Sequence, residues 1–262
     1  MSALRWDNGL VVSLENTVSV VLGASEGIGA AIAVALARAG SQVVTGSREP
    51  ARMAATQEMA EEFGQTISVE RVDVREPGSI KEFAAAVGER HGAATILVNS
   101  MGGSLVKQMA DVEVDEWDNL HNTHLRGTFL TCQAFAPAMA ARGYGKIINL
   151  SSLAGFRVSE RRGAYSVAKA GLNQLTCALA VEWGGQGIRV NGLAPTTTRT
   201  PRAVANFEKD PSREARVVAR TPLGRIAEPD DMVGPALFLA SPLSDFISGQ
   251  TLIVDGGQLA GG

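Results

Sequence analysis

Two side chains that can move a proton together lie four residues apart in one helical pattern. Tyr165 and Lys169 fall on the same face of the predicted helix 164–183, because residues at i and i+4 are neighbours on a helix surface. A free tyrosine has a pKa of about 10, and a nearby ammonium group lowers it by stabilising the phenolate. Such a pair can give a proton to a carbonyl oxygen or take one from an alcohol. By spacing alone, a partly buried tyrosine beside a solvated lysine is the more frequent arrangement.

A glycine-rich turn follows the first strongly apolar strand, Val18–Leu22, and opens an alanine-rich helix. The turn reads Gly23-Ala24-Ser25-Glu26-Gly27-Ile28-Gly29. Glycines in this place let the backbone approach a phosphate, to which a helix N-terminus presents N–H groups and a positive dipole. The spacing differs from the common dinucleotide pattern. The position between strand and helix nevertheless favours a nucleotide site over a plain tight turn.

The end of the second strand bears on which nucleotide would bind. This strand, Gln42–Thr45, is followed by Gly46-Ser47-Arg48. An acid at this point binds the ribose 2′-hydroxyl of NAD, whereas an arginine accommodates the 2′-phosphate of NADP. Ser47 and Arg48 therefore favour NADP(H) over NAD(H), although the carboxylate of Glu26 opposes a 2′-phosphate.

Apolar runs alternate with helical patterns along the chain, which predicts a parallel sheet covered on both faces. Further strands are predicted at 68–72, 96–98, 146–150, 188–193 and 251–254, and further helices at 28–39, 51–63, from Pro77, and at 115–142. We predict a single-domain α/β Rossmann-type fold over 1–262, a doubly wound parallel sheet with helices on both faces. One polar, arginine-rich segment, about 196–226, breaks the alternation; we expect a substrate lid there, with a flexible solvated loop as the alternative.

The composition argues against several classes of partner and site. The 262 residues are 45% hydrophobic and carry a net charge of −3, so nothing indicates a nucleic-acid or membrane-surface partner. Cys132 and Cys177 lie far apart, which argues against a disulfide framework or zinc site. His121 and His124 have no evident third ligand, so no metal is expected. The chain shows neither a secretory leader nor a bilayer-length apolar stretch, and we expect a cytoplasmic protein.

Several motifs, in order from about residue 14 to 257, resemble those of the short-chain dehydrogenase/reductase family. The glycine turn resembles its cofactor loop, with Leu22 where threonine is usual. Asp73-Val74 resembles the pair at the adenine ring, and Asn99-Ser100-Met101-Gly102 resembles the Asn-Asn-Ala-Gly segment. Ser152, thirteen residues before Tyr165, is a further match. Pro195, Thr198 and Thr200 resemble the segment near the nicotinamide, with Thr196 in place of glycine.

The resemblance implies a role for each catalytic residue. Tyr165 would be the acid/base, Lys169 would bind the nicotinamide ribose and lower the tyrosine pKa, and Ser152 would hydrogen-bond the substrate oxygen. Hydride would pass between the nicotinamide C4 and the substrate carbon. The general pattern resembles the 3-oxoacyl-carrier-protein reductase-like branch, so we expect a ketone or 3-oxoacyl thioester, interconverted with a secondary alcohol, as the small-molecule substrate. Sugar, polyol and steroid dehydrogenases are the alternative.

The resemblance departs at the fourth catalytic position, where His124 stands at the place of the family's asparagine. His124 would join a proton relay through a water, titrating near neutral pH, or the backbone would carry that step; we favour the backbone. This departure, with Thr196 and the altered Asn99–Gly102 segment, raises the alternative of a nucleotide-binding regulator that has lost catalysis. The presence of Ser152, Tyr165 and Lys169 argues against it.

Two further features concern partners. Five arginines would bind an anionic substrate or carrier, or would be solvated surface charges: Arg157, Arg161, Arg162, Arg199 and Arg202. The apolar faces around Phe129–Met139 and Leu172–Val181 predict a homo-oligomer, a tetramer or dimer as in the resembled family. Burial of these faces against the sheet is the alternative.

Overall fold

The computed structural model describes residues 4–5 and 11–261, so residues 1–3, 6–10 and 262 of the predicted domain lie outside the described part of the chain. The described strands form two sheets. β1 (Leu4–Arg5) pairs antiparallel with β2 (Val11–Val12). The main sheet contains seven parallel strands, which are β3 (Val18–Leu22), β4 (Gln42–Ser47), β5 (Ile67–Arg71), β6 (Ile96–Asn99), β7 (Gly145–Leu150), β8 (Ile188–Pro195) and β9 (Thr251–Val254). Their spatial order is β5-β4-β3-β6-β7-β8-β9.

Helices cover both faces of this sheet. The α-helices are α1 (Gly27–Arg38), α2 (Ala54–Glu61), α3 (Pro77–His91), α4 (Val114–His121), α5 (Gly127–Arg142), α6 (Gly163–Trp183), α7 (Pro201–Lys209), α8 (Pro211–Ala219) and α9 (Val233–Ala240). One face packs against α1, α2 and α9, and the other against α3, α5 and α6. The predicted single-domain, doubly wound α/β fold is therefore confirmed.

Burial explains why the strands are continuous apolar runs. In β3, Val21 packs into the core on the α1 face, while Val20 and Leu22 pack into the core on the α5 face. Successive side chains of a strand point to opposite faces, so a strand covered on both sides needs apolar residues at every position. The order of strands reverses between β3 and β6, and ligands in such sheets bind at the carboxyl edge beside that reversal.

The predicted helix over 115–142 is interrupted. A π-helical turn, Asn122–Arg126, separates α4 from α5, and the N–H of Gly127 bonds to the carbonyl of Asn122, five residues earlier. Gly127 also packs closely against the segment that follows β5, since a Cβ at position 127 would lie 3.0 Å from the carbonyl oxygen of Val74. A π turn inserts one extra residue into a helix and often marks a functional site. The extra residue accounts for the inward position of His124, which is 3% exposed.

Proline accounts for two further differences from the predicted elements. The lid segment contains α7 and α8, and Pro201 and Pro211 occupy the first helical positions of these helices, where proline needs no N–H partner. Likewise, Pro50 opens a 3₁₀ turn before α2 in the predicted helix 51–63. The helix α9 has no counterpart in the sequence prediction, because it is short and nearly uniformly apolar. None of the described helices has the length and hydrophobicity that a membrane span requires.

Candidate functional site

A cavity of about 790 Å³ opens at the carboxyl edge of the sheet, between the glycine turn and the start of α6. Every predicted site residue except Asn99 lines it: Gly23, Ser25, Glu26, Gly27, Ile28, Gly29, Ser47, Arg48, Asp73, Val74, Gly102, His124, Ser152, Tyr165, Lys169, Pro195, Thr198 and Thr200. Residues that are up to 177 positions apart in the sequence thus meet in one cavity, as the parallel sheet requires.

The glycine turn forms a backbone cradle that no other residue type would fit. A Cβ on Gly29 would lie 2.1 Å from the carbonyl oxygen of Gly23, and a Cβ on Gly23 would lie 2.4 Å from that of Ser100. Gly23 and Gly27 also have positive φ angles of 79° and 60°, which favour glycine. The cradle leads into the N-terminus of α1. This donor set fits the phosphates of a dinucleotide.

The adenosine end of the cavity lies at the ends of β4 and β5. Arg48 is exposed there, while the Ser47 hydroxyl donates to the carbonyl of Glu49 at 3.0 Å. The Asp73 carboxylate accepts two hydrogen bonds from the Arg75 guanidinium, at 3.0 and 2.7 Å. These bonds lower the pKa of Asp73 below its usual value. Arg48 and Asp73 thus flank the place where an adenosine ribose and base would lie.

Asn99 does not line the cavity with the other predicted cofactor residues. Its side chain is 2% exposed and donates to Asn149 Oδ1 at 2.9 Å, while Thr131 donates to its Oδ1 at 2.8 Å. Both polar groups of the Asn99 amide are therefore hydrogen-bonded to side chains of β7 and α5. The side chain thus ties the end of β6 to β7 and α5, and direct contact of Asn99 with the cofactor stays a prediction.

The reactive tyrosine and serine meet at the opposite end of the cavity. Ser152 follows β7, and Tyr165 stands in the first turn of α6. The Ser152 hydroxyl oxygen accepts from the backbone N–H of Ala154 at 3.1 Å, which leaves its hydrogen free to donate. Burial raises the pKa of Tyr165, whereas its hydrogen bond with Ser152 and the charges of Arg162 and Arg202 lower it.

Lys169 lies one turn along α6 from the tyrosine and is deeply buried. Its ammonium group donates to the carbonyl of Leu150 and stands 5.8 Å from the Tyr165 ring centre. Burial lowers the pKa of Lys169 to about 7. In this structure the groups that lower the pKa of Tyr165 are Ser152, Arg162 and Arg202. That Lys169 also lowers it stays a prediction.

His124 packs edge-on against Tyr165, with the ring centres 5.5 Å apart. Its Nε2 lies 2.6 Å from the carbonyl oxygen of Gly103; because a carbonyl only accepts, Nε2 carries the proton. Nδ1 is a buried acceptor without a hydrogen-bond partner in the described part of the chain. A Cβ on Gly102 would lie 2.2 Å from the imidazole. Glycine at 102 therefore makes room for histidine at 124.

The expectation that His124 titrates near neutral pH is wrong. Burial, together with the charge of Lys169, lowers its pKa to about 3. A base with this pKa gains a proton only below about pH 3, so it is neutral throughout the working range. His124 can accept or donate a hydrogen bond as a neutral imidazole, but it cannot serve there as an acid that switches with pH.

The His124→Asn variant tests this conclusion. We expect the pH–rate profile of kcat to keep its shape between about pH 5 and pH 9, because a neutral imidazole adds no ionisation there. Loss of the contact with Gly103 would change kcat by about tenfold or less. The measurement is kcat against pH for both proteins. Disappearance of an inflection between pH 5 and pH 8 in the variant would contradict the neutral state.

Several lining residues have no counterpart in the sequence prediction. Thr196, which departs from the resembled motif, donates to Gln258 Oε1 at 2.6 Å, and Gln258 donates in turn to Thr221 at 3.0 Å. The hydroxyl at 196 thus ties the lid segment to the turn after β9. Asn119 and Thr123 also line the cavity and are unpredicted, whereas Asn206, Arg213 and Arg220 belong to the lid segment 196–226 that the sequence predicts. The polar types of Asn119 and Thr123 are visible in the sequence, but nothing there assigns them to the cavity.

No cluster of three possible metal ligands occurs among the described residues. The two histidines considered above are engaged separately, since His121 Nδ1 lies 2.9 Å from the carbonyl of Trp117 and His124 Nε2 contacts Gly103.

Comparison with known proteins identifies the family. A family model described as enoyl-(acyl carrier protein) reductase matches residues 23–258. A 2-dehydro-3-deoxy-D-gluconate 5-dehydrogenase of Bacillus subtilis is 35% identical over 95% of this chain and 96% of its own length. A galactitol 2-dehydrogenase of Cereibacter sphaeroides is 35% identical over 96% of this chain and 98% of its own length.

A solved structure agrees with these sequence comparisons. A gluconate 5-dehydrogenase from Burkholderia cenocepacia, in complex with NADP and tartrate, superposes with a TM-score of 0.90 at 32% identity, over 95% of this chain and 97% of that one. The relatives, the sheet order and the cavity agree on one assignment. The chain belongs to the short-chain dehydrogenase/reductase family and is an NAD(P)-dependent oxidoreductase that acts on CH–OH groups.

Proposed function

We propose that the protein interconverts a secondary alcohol and a ketone of a polyhydroxylated small molecule with NADP(H), using Tyr165 as acid/base. The observation that carries this proposal is the meeting of Ser152, Tyr165 and Lys169 in the cavity that also contains the glycine cradle. A cofactor whose phosphates lie in the cradle would present its nicotinamide to the same substrate carbonyl that Tyr165 protonates. The intact set also disfavours a regulator without catalysis.

In this mechanism the chain holds the carbonyl and supplies the proton. Bound NADPH supplies the hydride. Ser152 donates a hydrogen bond to the substrate oxygen, and the Tyr165 hydroxyl gives its proton to that oxygen as negative charge develops. Lys169 would bind the nicotinamide ribose. Because reduction needs protonated Tyr165 and oxidation needs its phenolate, the reduction rate falls and the oxidation rate rises as pH increases through the tyrosine pKa.

The lining of the substrate half favours sugars or polyols over 3-oxoacyl thioesters. Hydroxyl and amide side chains outside the predicted cofactor set line the cavity, namely those of Ser104, Asn119, Thr123, Ser159 and Asn206. A fatty acyl chain would need an extended apolar wall to be stabilised by burial, whereas a polyol needs many hydrogen-bond partners. The relatives named above act on galactitol and on gluconate derivatives, which supports the same substrate class.

A turnover assay tests the function. Consumption of NADPH is followed with matched sets of keto sugars, keto acids, simple ketones and 3-oxoacyl thioesters. We expect the highest kcat/KM among the polyhydroxylated ketones. NADPH binding without turnover across all four sets would contradict the proposed reaction, and preference for the thioesters would contradict the substrate class.

NADP(H) is the proposed cofactor because Arg48 stands at the end of β4, where a 2′-phosphate would lie. Replacement of Arg48 by alanine is expected to raise the KM for NADPH by about tenfold or more, since a charge-assisted hydrogen bond to phosphate is lost, and to change the KM for NADH little. The matched control is Arg38→Ala, because Arg38 stacks on Phe63 outside the cavity. Tighter binding of NADH than NADPH, with no loss in Arg48→Ala, would show that the preference is wrong.

The remaining features of the proposal concern assembly and closure. Exposed apolar side chains on α5 and α6, and near β9, support a homo-oligomer, either dimer or tetramer: Phe129, Val167, Val181, Leu243, Phe246 and Leu252. The segment 196–226 is proposed as a lid, because α7 and α8 contribute Arg202, Asn206 and Arg213 to the cavity wall. A cytoplasmic location stays a prediction from the sequence.

A further inference from the structure

Positive charge is concentrated at the substrate end of the cavity. Among the lining residues that the structure describes, the carboxylates are Glu26, Glu49 and Asp73, and all three lie at the cofactor end. The wall around Tyr165 instead contains Arg162, Arg202 and Arg213. Cations gathered in a cleft without carboxylates raise the local concentration of anions. The arginines at the cofactor end, Arg48, Arg52 and Arg75, are accompanied by these carboxylates, whereas the arginines around Tyr165 are not.

Arg162 is the most constrained of these cations. It directly precedes α6, and its guanidinium carbon lies 5.0 Å from the Tyr165 ring centre. Its Nε is buried and has no hydrogen-bond partner among the described atoms. A buried donor without a partner is destabilising, and a cation at a helix N-terminus is disfavoured by the helix dipole. An anion bound at Arg162 would relieve both penalties.

Arg202 approaches the same place from the lid. It stands in the first turn of α7, and its Nη1 lies so close to Gly103 that a Cβ there would be 2.4 Å away. Gly103 is the residue whose carbonyl holds His124. Burial raises the pKa of Tyr165, and the charge of Arg202 is close enough to help lower it, after the effects of Ser152 and Arg162. Arg202 and Arg162 thus both face the reacting end of the cavity.

Other arginines in and beside the lid segment form ion pairs with nearby carboxylates. Arg199 pairs with Glu214 at 2.6 Å, Arg216 with Asp210 at 2.7 Å, and Arg225 with Asp231 at 2.6 Å. In the described part of the chain, no ion pair is formed by the cavity-facing residues Arg162, Arg202 and Arg213. Arg202 and Arg213 of the lid thus face the cavity without an ion pair in the described part of the chain.

We propose that Arg162 and Arg202 bind a carboxylate of the substrate, so that the protein selects polyhydroxy acids over the corresponding neutral polyols. This inference rests on the proposed function, because it places the carboxylate beside the carbon that reacts at Tyr165. Guanidinium groups bind carboxylates with paired, charge-assisted hydrogen bonds. Arg213 adds positive charge without a contact of its own. A carboxylate bound by both residues would also link α6 to the lid.

Binding measurements on matched pairs test the inference. Aldonic acids of four, five and six carbons are compared with the alditols of the same configuration, which differ by a carboxylate in place of a CH₂OH group. The complex of enzyme with NADP⁺ is titrated calorimetrically with each. We expect at least one acid to bind about tenfold or more tightly than its alditol, as one charge-assisted contact allows. Equal affinities in every pair would overturn the proposal.

Variants assign the preference to these residues. Arg162→Gln and Arg202→Gln are each expected to reduce the acid-over-alditol preference by about tenfold, and Arg162→Lys and Arg202→Lys, which keep the charge, to retain part of it. Arg216→Gln is the matched control, because Arg216 pairs with Asp210 outside the cavity, and it should keep the full preference. An undiminished preference in both cavity variants, or the same loss in the control, would overturn the assignment.

Two further measurements distinguish failure of the anion site from failure of the proposed function. Alditol phosphates are titrated in parallel; tighter binding of a phosphate than of any carboxylate would overturn the assignment of the anion. Turnover is measured with each bound compound. Acids that bind through Arg162 and Arg202 but never react would support the anion site and contradict the proposed function. Turnover of alditols without preference for acids would support the function and contradict the anion site.

Discussion

The Tyr165→Phe variant is expected to lose about three orders of magnitude in kcat while it binds NADPH normally. General acid–base groups contribute about 10² to 10⁴ to the rate, and the proposal gives the whole proton transfer to this hydroxyl. Phenylalanine keeps the ring that packs edge-on against His124, so the fold of the cavity should persist. Steady-state kinetics and a fluorescence titration with NADPH measure the two quantities.

The second tyrosine of the chain supplies a matched control. Tyr144 directly precedes β7 and lies near Lys146 and Arg189, outside the cavity. Tyr144→Phe removes the same atom from the same residue type and should leave kcat within about twofold, as a surface substitution does. Retention of more than about a tenth of the normal rate by Tyr165→Phe would remove that tyrosine from the role of acid/base.

Gly29→Ala is expected to produce the largest loss of cofactor binding and of stability. The added methyl group would lie 2.1 Å from the Gly23 carbonyl oxygen, and both positions belong to backbone that cannot move aside without opening the cradle. Overpacking costs about 1–3 kcal/mol or more. We expect a lower melting temperature and an NADPH dissociation constant raised by about a hundredfold, as the loss of the phosphate contacts implies.

Gly88→Ala provides the control for this change. Gly88 lies in α3, and an added Cβ would meet nothing within 4 Å. Alanine in a helix interior is more stable than glycine by about 0.5–1 kcal/mol, so this variant should melt higher and bind NADPH normally. If Gly29→Ala melted and bound NADPH like the unsubstituted protein, the cradle would not be the phosphate site.

The fold followed from the sequence wherever one physical requirement dominated. The strand 18–22 was predicted with its final bounds, because a strand buried on both faces is apolar at every position, as Val20, Val21 and Leu22 are. The glycine turn was predicted for a similar reason, since its close backbone contacts exclude other residues. In both cases local sequence and tertiary environment impose the same choice.

The site was predicted less completely, because its properties depend on contacts between distant elements. The sequence placed Ser152, Tyr165 and Lys169 correctly in one cavity. It did not show that burial would keep His124 neutral, or that Asn99 would turn inward to bond with Asn149. Burial is set by the packing of α5 on the sheet, which no local pattern reveals.

The arginines illustrate the same limit. The sequence offers five arginines as anion binders, and their types and spacing give no basis for choosing among them. The structure separates them: Arg199 is paired with Glu214 and Glu228, whereas Arg162 and Arg202 face the cavity. Pairing depends on how the lid helices lie against the turn after β8. Only the folded arrangement distinguishes a solvated charge from one available to a ligand.

The central claim is that hydride and proton reach one substrate carbonyl in this cavity. The most direct test uses NADPH that carries deuterium at the transferable C4 position, a polyhydroxylated ketone, and mass spectrometry of the product alcohol. The account predicts one deuterium on the carbinol carbon with the unsubstituted protein and almost no product with Tyr165→Phe. An alcohol product without deuterium, or equal product from both proteins, would contradict it.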